Sequence, residues 1–239
     1  MIATKLTKNI LLSISGSPSL PWRDDIEKIR ESQLEECALF LNKLPIDERR
    51  ELYKALETLN GLVIPFVRLA ADMEAWEFDF FISTFKTNIF SCPAEPKYLA
   101  LIASFQKYKP LIALENPMHD AHKALFTDEA LTRNEYSGIC LDLAILERDR
   151  RRNKKKYESS IHTLDHHPLV ATQLSPLPSA WFRRLLALHS RRLTTLSDLQ
   201  YLRHIPAPQL ANILIIASEN TLDEQLEIKE YIRLLVENI

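Results

Sequence analysis

Three glycines in 239 residues, Gly16, Gly61 and Gly138, limit this chain more than any other feature. Tight hairpin turns and phosphate-cradling loops draw on residues at positive φ, where glycine is the default. A chain this short of glycine is expected to hold few hairpins and no glycine-loop nucleotide site. Thirteen prolines punctuate the sequence, and each tends to open or end a helix. The expected fold is all-α, an irregular bundle of roughly 8–11 helices with short Pro-containing turns.

Local patterns support that expectation. Ile26, Ile29, Leu34, Cys37, Ala38, Leu41 and Leu44 read as one apolar helical stripe. Pro45 opens a second helix carrying Leu52, Leu56 and Leu59, which Asn60-Gly61 stops, and Pro65 opens a third. Residues 75–90, AWEFDFFISTFKTNIF, read as a buried aromatic helix, since no partner strand is evident nearby. A long helix is expected from Ile139, with its apolar face ending at Leu146. Leu210 to Ile216 reads as a buried helix. Thr221 and Glu224 form a capping box that starts the last one, in which each side chain satisfies the other's free amide.

The domain reading follows from composition. Residues 1–21 form a mobile arm, 22–157 an N-terminal helical domain, 158–178 a connector with three histidines and three prolines, and 179–239 a C-terminal helical subdomain. Charge is segregated along the chain. Residues 24–147 carry 13 basic and 22 acidic side chains, 148–204 carry 12 and 4, and 205–239 carry 2 and 6.

Catalytic motifs are sparse. There is no GxSxG and no P-loop. Ser83 and Lys86 match SxxK without its companions. His119-Asp120 lacks the upstream histidine that helical phosphohydrolases need, because no histidine precedes position 119. His162, His166 and His167 lie beside Asp165, but in a stretch that reads as connector, where a solvated or capping role is expected. No metal and no cofactor is therefore assigned. Cys37, Cys92 and Cys140 are odd in number and far apart, which implies reduced, buried thiols and a cytoplasmic chain. No apolar run has the length of a membrane span.

The strongest feature outside the expected core is basic. Arg150, Arg151, Arg152, Lys154, Lys155 and Lys156 would point to every side of a helix, and Arg183, Arg184, Arg191 and Arg192 follow. With an apolar face containing Trp181, Tyr231, Ile232 and Leu235, they make up an expected partner-binding surface. The function expected from the sequence is a non-catalytic interaction protein: an adaptor, chaperone-like factor or accessory subunit. Its partner would be another protein, possibly acidic, or a second copy. A nucleic-acid-binding regulator using residues 148–204, and a helical enzyme with an unrecognised site, are the alternatives. Nucleic acid and anionic membrane are the other surfaces that the basic segment could meet.

Overall fold

The computed structural model describes residues 8–15, 22–117, 126–133, 135–177, 192–193 and 195–236. It overturns the all-α expectation. Eight parallel strands close into a barrel in the order of the chain: β1 (Asn9–Ser15), β2 (Glu36–Phe40), β3 (Val63–Arg68), β4 (Ile89–Pro93), β5 (Ile112–Glu115), β6 (Gly138–Asp142), β7 (Leu169–Leu174) and β8 (Ile213–Ile216). Between and after them lie α1 (Trp22–Ser32), α2 (Ile46–Glu57), α3 (Ala75–Phe85), α4 (Pro96–Ala103), α5 (Asp128–Arg133), α6 (Leu143–Arg152), α7 (Lys154–His166) and α8 (Leu222–Val236). The architecture is that of a (β/α)8 barrel.

The scarcity of glycine does not oppose this fold. Parallel neighbours are joined by long crossovers rather than hairpins, so the turns that need positive φ are few. The strands are buried on both faces, so stretches such as ILII of β8 or Ile112-Ala113-Leu114 of β5 are short continuous apolar runs instead of an alternating pattern. Such a run is indistinguishable by periodicity from a piece of buried helix. The stripe from Ile26 to Leu44 is therefore α1 followed by β2. The helix expected from Ile139 is β6 followed by α6, and the one expected over Leu210 to Ile216 contains β8. The aromatic stretch divides into α3 and β4.

The stretch read as a mobile arm contains β1, which pairs with β2 on one side and β8 on the other. Gln225 of α8 is fully buried and clasps this strand: Ser13 N donates to its Oε1 at 2.7 Å, and its Nε2 donates to Ser13 O at 2.9 Å. The sheet runs through the stretch read as a connector as well, since residues 158–178 hold most of α7 and all of β7.

Pro65 sits inside β3, a central strand, where a missing N–H would normally break the ladder. The pairing with β2 accommodates it. Glu36 faces Val63 and Ala38 faces Phe66, so β3 carries one extra residue at this point. The proline lies in that bulge. Pro65 therefore belongs to a strand and does not open a helix.

Two apolar layers result. Inside the barrel, Leu11, Ala38, Phe40, Phe66, Ile89, Ala113, Cys140, Ala171 and Ile215 fill the lumen. Outside it, a larger core joins the outward strand faces to the helices, with Phe78 stacked on Tyr108 at 4.5 Å between ring centroids. All three cysteines are free and buried. Burial pushes the Cys37 thiol up to about 12.

Gly138 opens β6 at φ +143°, and a Cβ there would lie 2.2 Å from the Pro168 carbonyl oxygen. That carbonyl accepts the Ile139 amide at 2.8 Å, so it cannot retreat without loss of a ladder bond. Gly138→Ala is expected to destabilise the protein by about 1–3 kcal/mol. Urea denaturation measures this, and a cost within error of zero would show that the β6–β7 junction can yield to an added methyl group.

Candidate active site at the barrel mouth

Side chains alternate along each strand, so residues two apart share the lumen face. On five consecutive strands the upper of two such residues is polar and the lower is apolar or small: Phe66 and Arg68, Ile89 and Ser91, Ala113 and Glu115, Cys140 and Asp142, Ala171 and Gln173. The lumen is thus apolar below and polar toward the strand C-termini. In barrels of this kind active sites are built at that end.

Arg68 and Glu115 are the centre of the polar layer. Arg68 Nε donates to Glu115 Oε1 at 2.8 Å and Nη2 to Oε2 at 2.5 Å, a two-pronged pair with both side chains buried. Ser91 Oγ at 2.9 Å and Gln173 Nε2 at 3.0 Å also donate to Glu115 Oε1. Burial works against the guanidinium charge, but Glu115 outweighs it and holds the Arg68 pKa above its ordinary value. The guanidinium also lies over the Phe40 ring at 5.8 Å.

Asp142 is built into the frame. Its Oδ1 caps α6 by accepting from Ala144 N and Ile145 N, and Oδ2 accepts from Ser175 Oγ at 2.9 Å. Asn116 brackets its backbone, taking the amide at 2.7 Å and donating to the carbonyl at 3.1 Å. Above this layer opens a cavity of about 250 Å³, lined among others by Ser15, Lys43, Arg68, Tyr98, Glu115 and Ser218. Lys43 pairs with Glu219 across its rim, and Lys97 with Glu95 at 3.5 Å. Burial pushes the Tyr98 hydroxyl up to about 12, which keeps it a neutral donor near pH 7. The Ser218 Oγ and Gln173 Oε1 are buried and make no hydrogen bond among the described residues. A buried polar atom without a partner is costly, and Ser218 lines the cavity, where a ligand could supply that partner.

The site is chemically specific in what it offers. It holds a buried, oriented guanidinium, two lysines paired with carboxylates at the rim, carboxyl and amide acceptors, and hydroxyl donors. The buried Cys92 and Cys140 thiols lie nearby, and burial raises the pKa of both, which makes them poor nucleophiles. The βα8 loop, a common phosphate seat in barrels, carries Glu219 and is followed by Asp223 and Glu224, which disfavours an anion there.

The described residues of the surface expected from the sequence do not line this cavity. Arg150 and Arg151 both pair with Glu147, at 2.6 Å each, and Lys154 with Glu158 at 3.6 Å. Lys156 is buried, with Nζ 2.8 Å from Asp149 Oδ2 and 3.2 Å from the Pro117 carbonyl. The run breaks at Asn153, whose side chain caps α7, so its charges do not project from one continuous helix. Arg152 and Lys155 are exposed, and Arg192 reaches Glu224 at 2.9 Å. Ile232 and Leu235 are buried and Tyr231 packs against the same core, so the apolar face of α8 docks on its own barrel. Trp181, Arg183, Arg184 and Arg191 lie outside the described residues, as does His119. The reading of a non-catalytic helical adaptor falls with the helical bundle it rested on. No sequence motif announced Arg68, Ser91, Glu115, Asp142 or Gln173. The recurring apolar-x-polar triplets FVR, IFS, ALE, CLD and ATQ were the available signal.

No helix among the described residues is long and apolar enough to cross a membrane. No protein-family model matches the chain, and no curated protein matches it. Among solved structures it is similar to the HpcH/HpaI aldolase from Desulfitobacterium hafniense DCB-2, at 11% identity and a TM-score of 0.47, over 94% of this chain and 92% of that one.

Proposed function

We propose that this chain is an enzyme whose active site is the barrel mouth, and that it acts on a small molecule bearing an anionic oxygen such as a carboxylate. The observation that carries this reading is the buried Arg68–Glu115 pair at the cavity floor. Glu115 fixes the guanidinium by Nε and Nη2, and no described residue hydrogen-bonds Nη1. A planar, permanently charged donor held in this way suits recognition of an oxyanion and stabilisation of charge that develops on it. A cavity of about 250 Å³ suits a metabolite rather than a polymer.

The test is a thermal-shift screen of small mono- and dicarboxylates and phosphate esters, followed by turnover assays on those that stabilise the protein. A ligand at one hundred times its Kd is expected to add about 2.7 kcal/mol. Arg68→Lys keeps the charge and loses the fork, so it is expected to abolish that gain while the unliganded protein still folds. Equal stabilisation of both proteins, or none by any compound, defeats the proposal.

A further inference from the structure

Outside the barrel, the C-terminal end of α7 lies beside α5. This is the end at which strands begin, since Leu169 of β7 follows His166 by three residues. It is remote from the mouth, where strands end. The sequence discounted its histidines because residues 158–178 read as a connector. In the structure α7 continues to His166, so His162 and His166 are one turn apart on one face, with ring centroids 4.4 Å apart. Asp128 from α5 joins them, and one ligand atom from each of the three lies within 4.8 Å of the others.

Two details go beyond proximity. His166 Nδ1 lies 2.7 Å from the His162 carbonyl oxygen. A carbonyl can only accept, so Nδ1 carries the proton and Nε2 presents its lone pair. Ligating histidines show this arrangement, in which the second ring nitrogen donates to a carbonyl and fixes the tautomer. Asp128 is held in turn: His167 Nε2 lies 2.5 Å from its Oδ1, which orients the carboxylate as an outer partner would. Asp128 is also free of capping duty, because Thr127 Oγ1 accepts the Ala130 amide at 3.2 Å.

We propose that Asp128, His162 and His166 form a binding site for a late first-row divalent cation, Zn²⁺ foremost, with His167 as the positioning residue for Asp128. Two imidazoles and a carboxylate are a usual zinc donor set, with metal–nitrogen distances of about 2.0–2.1 Å. His162 and His166 are exposed, so small rotations bring their nitrogens inward. Three protein ligands leave a fourth position for water. The ion would tie α5 to α7, the helices that precede β6 and β7, and so act as a clamp on the barrel wall.

The probe is Zn²⁺ alone, titrated calorimetrically into untagged, chelator-treated protein, with Co²⁺ absorption reporting coordination geometry. The expected result is one saturable equivalent, a tetrahedral Co²⁺ spectrum and a rise in Tm on zinc addition. His162→Ala and His166→Ala are each expected to abolish the equivalent, and His167→Ala to weaken it about 10–100-fold. The metal-free melts of all three should match the parent. Absence of a saturable equivalent overturns the proposal, and so does binding that survives both single variants, which would assign it to the other histidines. Should one variant fail to fold, the other decides.

Discussion

Arg68→Met is expected to destabilise the protein by about 3–5 kcal/mol, as removal of one partner from a buried ion pair does. The guanidinium supplies two of the donors on Glu115, including the one on Oε2, and both side chains are nearly inaccessible. Without it the carboxylate keeps Ser91 and Gln173 on Oε1 and no donor on Oε2. In a chain of this size each kcal/mol corresponds to roughly 2–4 °C in Tm, so the melt should fall by about 10 °C. The companion variant Arg68→Met with Glu115→Leu removes both charges, and replacing a buried pair by apolar side chains is often neutral. It is expected to recover most of the loss. Urea denaturation of the parent, both single variants and the double closes the cycle. A cost for Arg68→Met below about 1 kcal/mol, the level of an exposed pair, would show that the mouth is wetter than the packing implies. A stable double variant that no longer responds to any ligand would separate the two roles of the pair. Its contribution to the fold would be replaceable by apolar contacts, and its contribution to recognition would not.

The sequence showed helix boundaries better than it showed helix context. Thr221 and Glu224 do form the reciprocal cap of α8, with Thr221 N donating to Glu224 Oε2 at 2.9 Å and Glu224 N to Thr221 Oγ1 at 3.3 Å. Pro45 does precede α2. Such signals are local, and local chemistry is visible in a single chain. The strands were missed because their defining property is not local. Ile112-Ala113-Leu114 is apolar on both faces since helices cover one side and the lumen fills the other, and nothing within four residues reveals that. The low glycine count was weighed against hairpins, the one kind of β connection that a parallel barrel omits.

The basic run is more tied down than its sequence suggests, for a related reason. Its charge was read as projecting outward, whereas Glu147 and Asp149, within or beside it in sequence, neutralise Arg150, Arg151 and Lys156 in space. The candidate site has no contiguous motif because its residues come singly from the ends of successive strands. Only the repeated step from an apolar to a polar residue two positions later pointed toward it, and that step is meaningful only once strands are known.

The second large effect is expected at Arg49 and Glu77, the frame beneath the βα2 and βα3 loops. Arg49 is wholly buried near the start of α2. It donates by Nε and Nη2 to Glu77 at 3.0 and 3.2 Å, and by Nη1 to the Leu44 carbonyl at 2.9 Å and Asp72 Oδ1 at 2.7 Å. Glu77 is equally buried and takes a further bond from the Tyr53 hydroxyl at 2.5 Å. It also accepts the Glu74 amide at 2.9 Å, completing the capping box of α3. Burial and the adjacent Glu77 charge push the Tyr53 pKa upward, so the phenol stays a donor. One carboxylate thus fixes the loop that carries Leu44 and, one residue earlier, Lys43 of the cavity rim. Glu77→Gln preserves shape and removes the charge, leaving a buried guanidinium whose remaining anion, Asp72, has a side chain 64% exposed. The expected cost is about 3–5 kcal/mol. Asp72→Asn removes the other anion from the same guanidinium, but from its solvent-facing side, and is expected to cost less than about 1 kcal/mol. Parallel urea denaturation of the two variants checks the ranking. Similar costs for both would mean that burial does not set the strength of this cluster, and that Glu77 acts on the βα loops only as a helix cap.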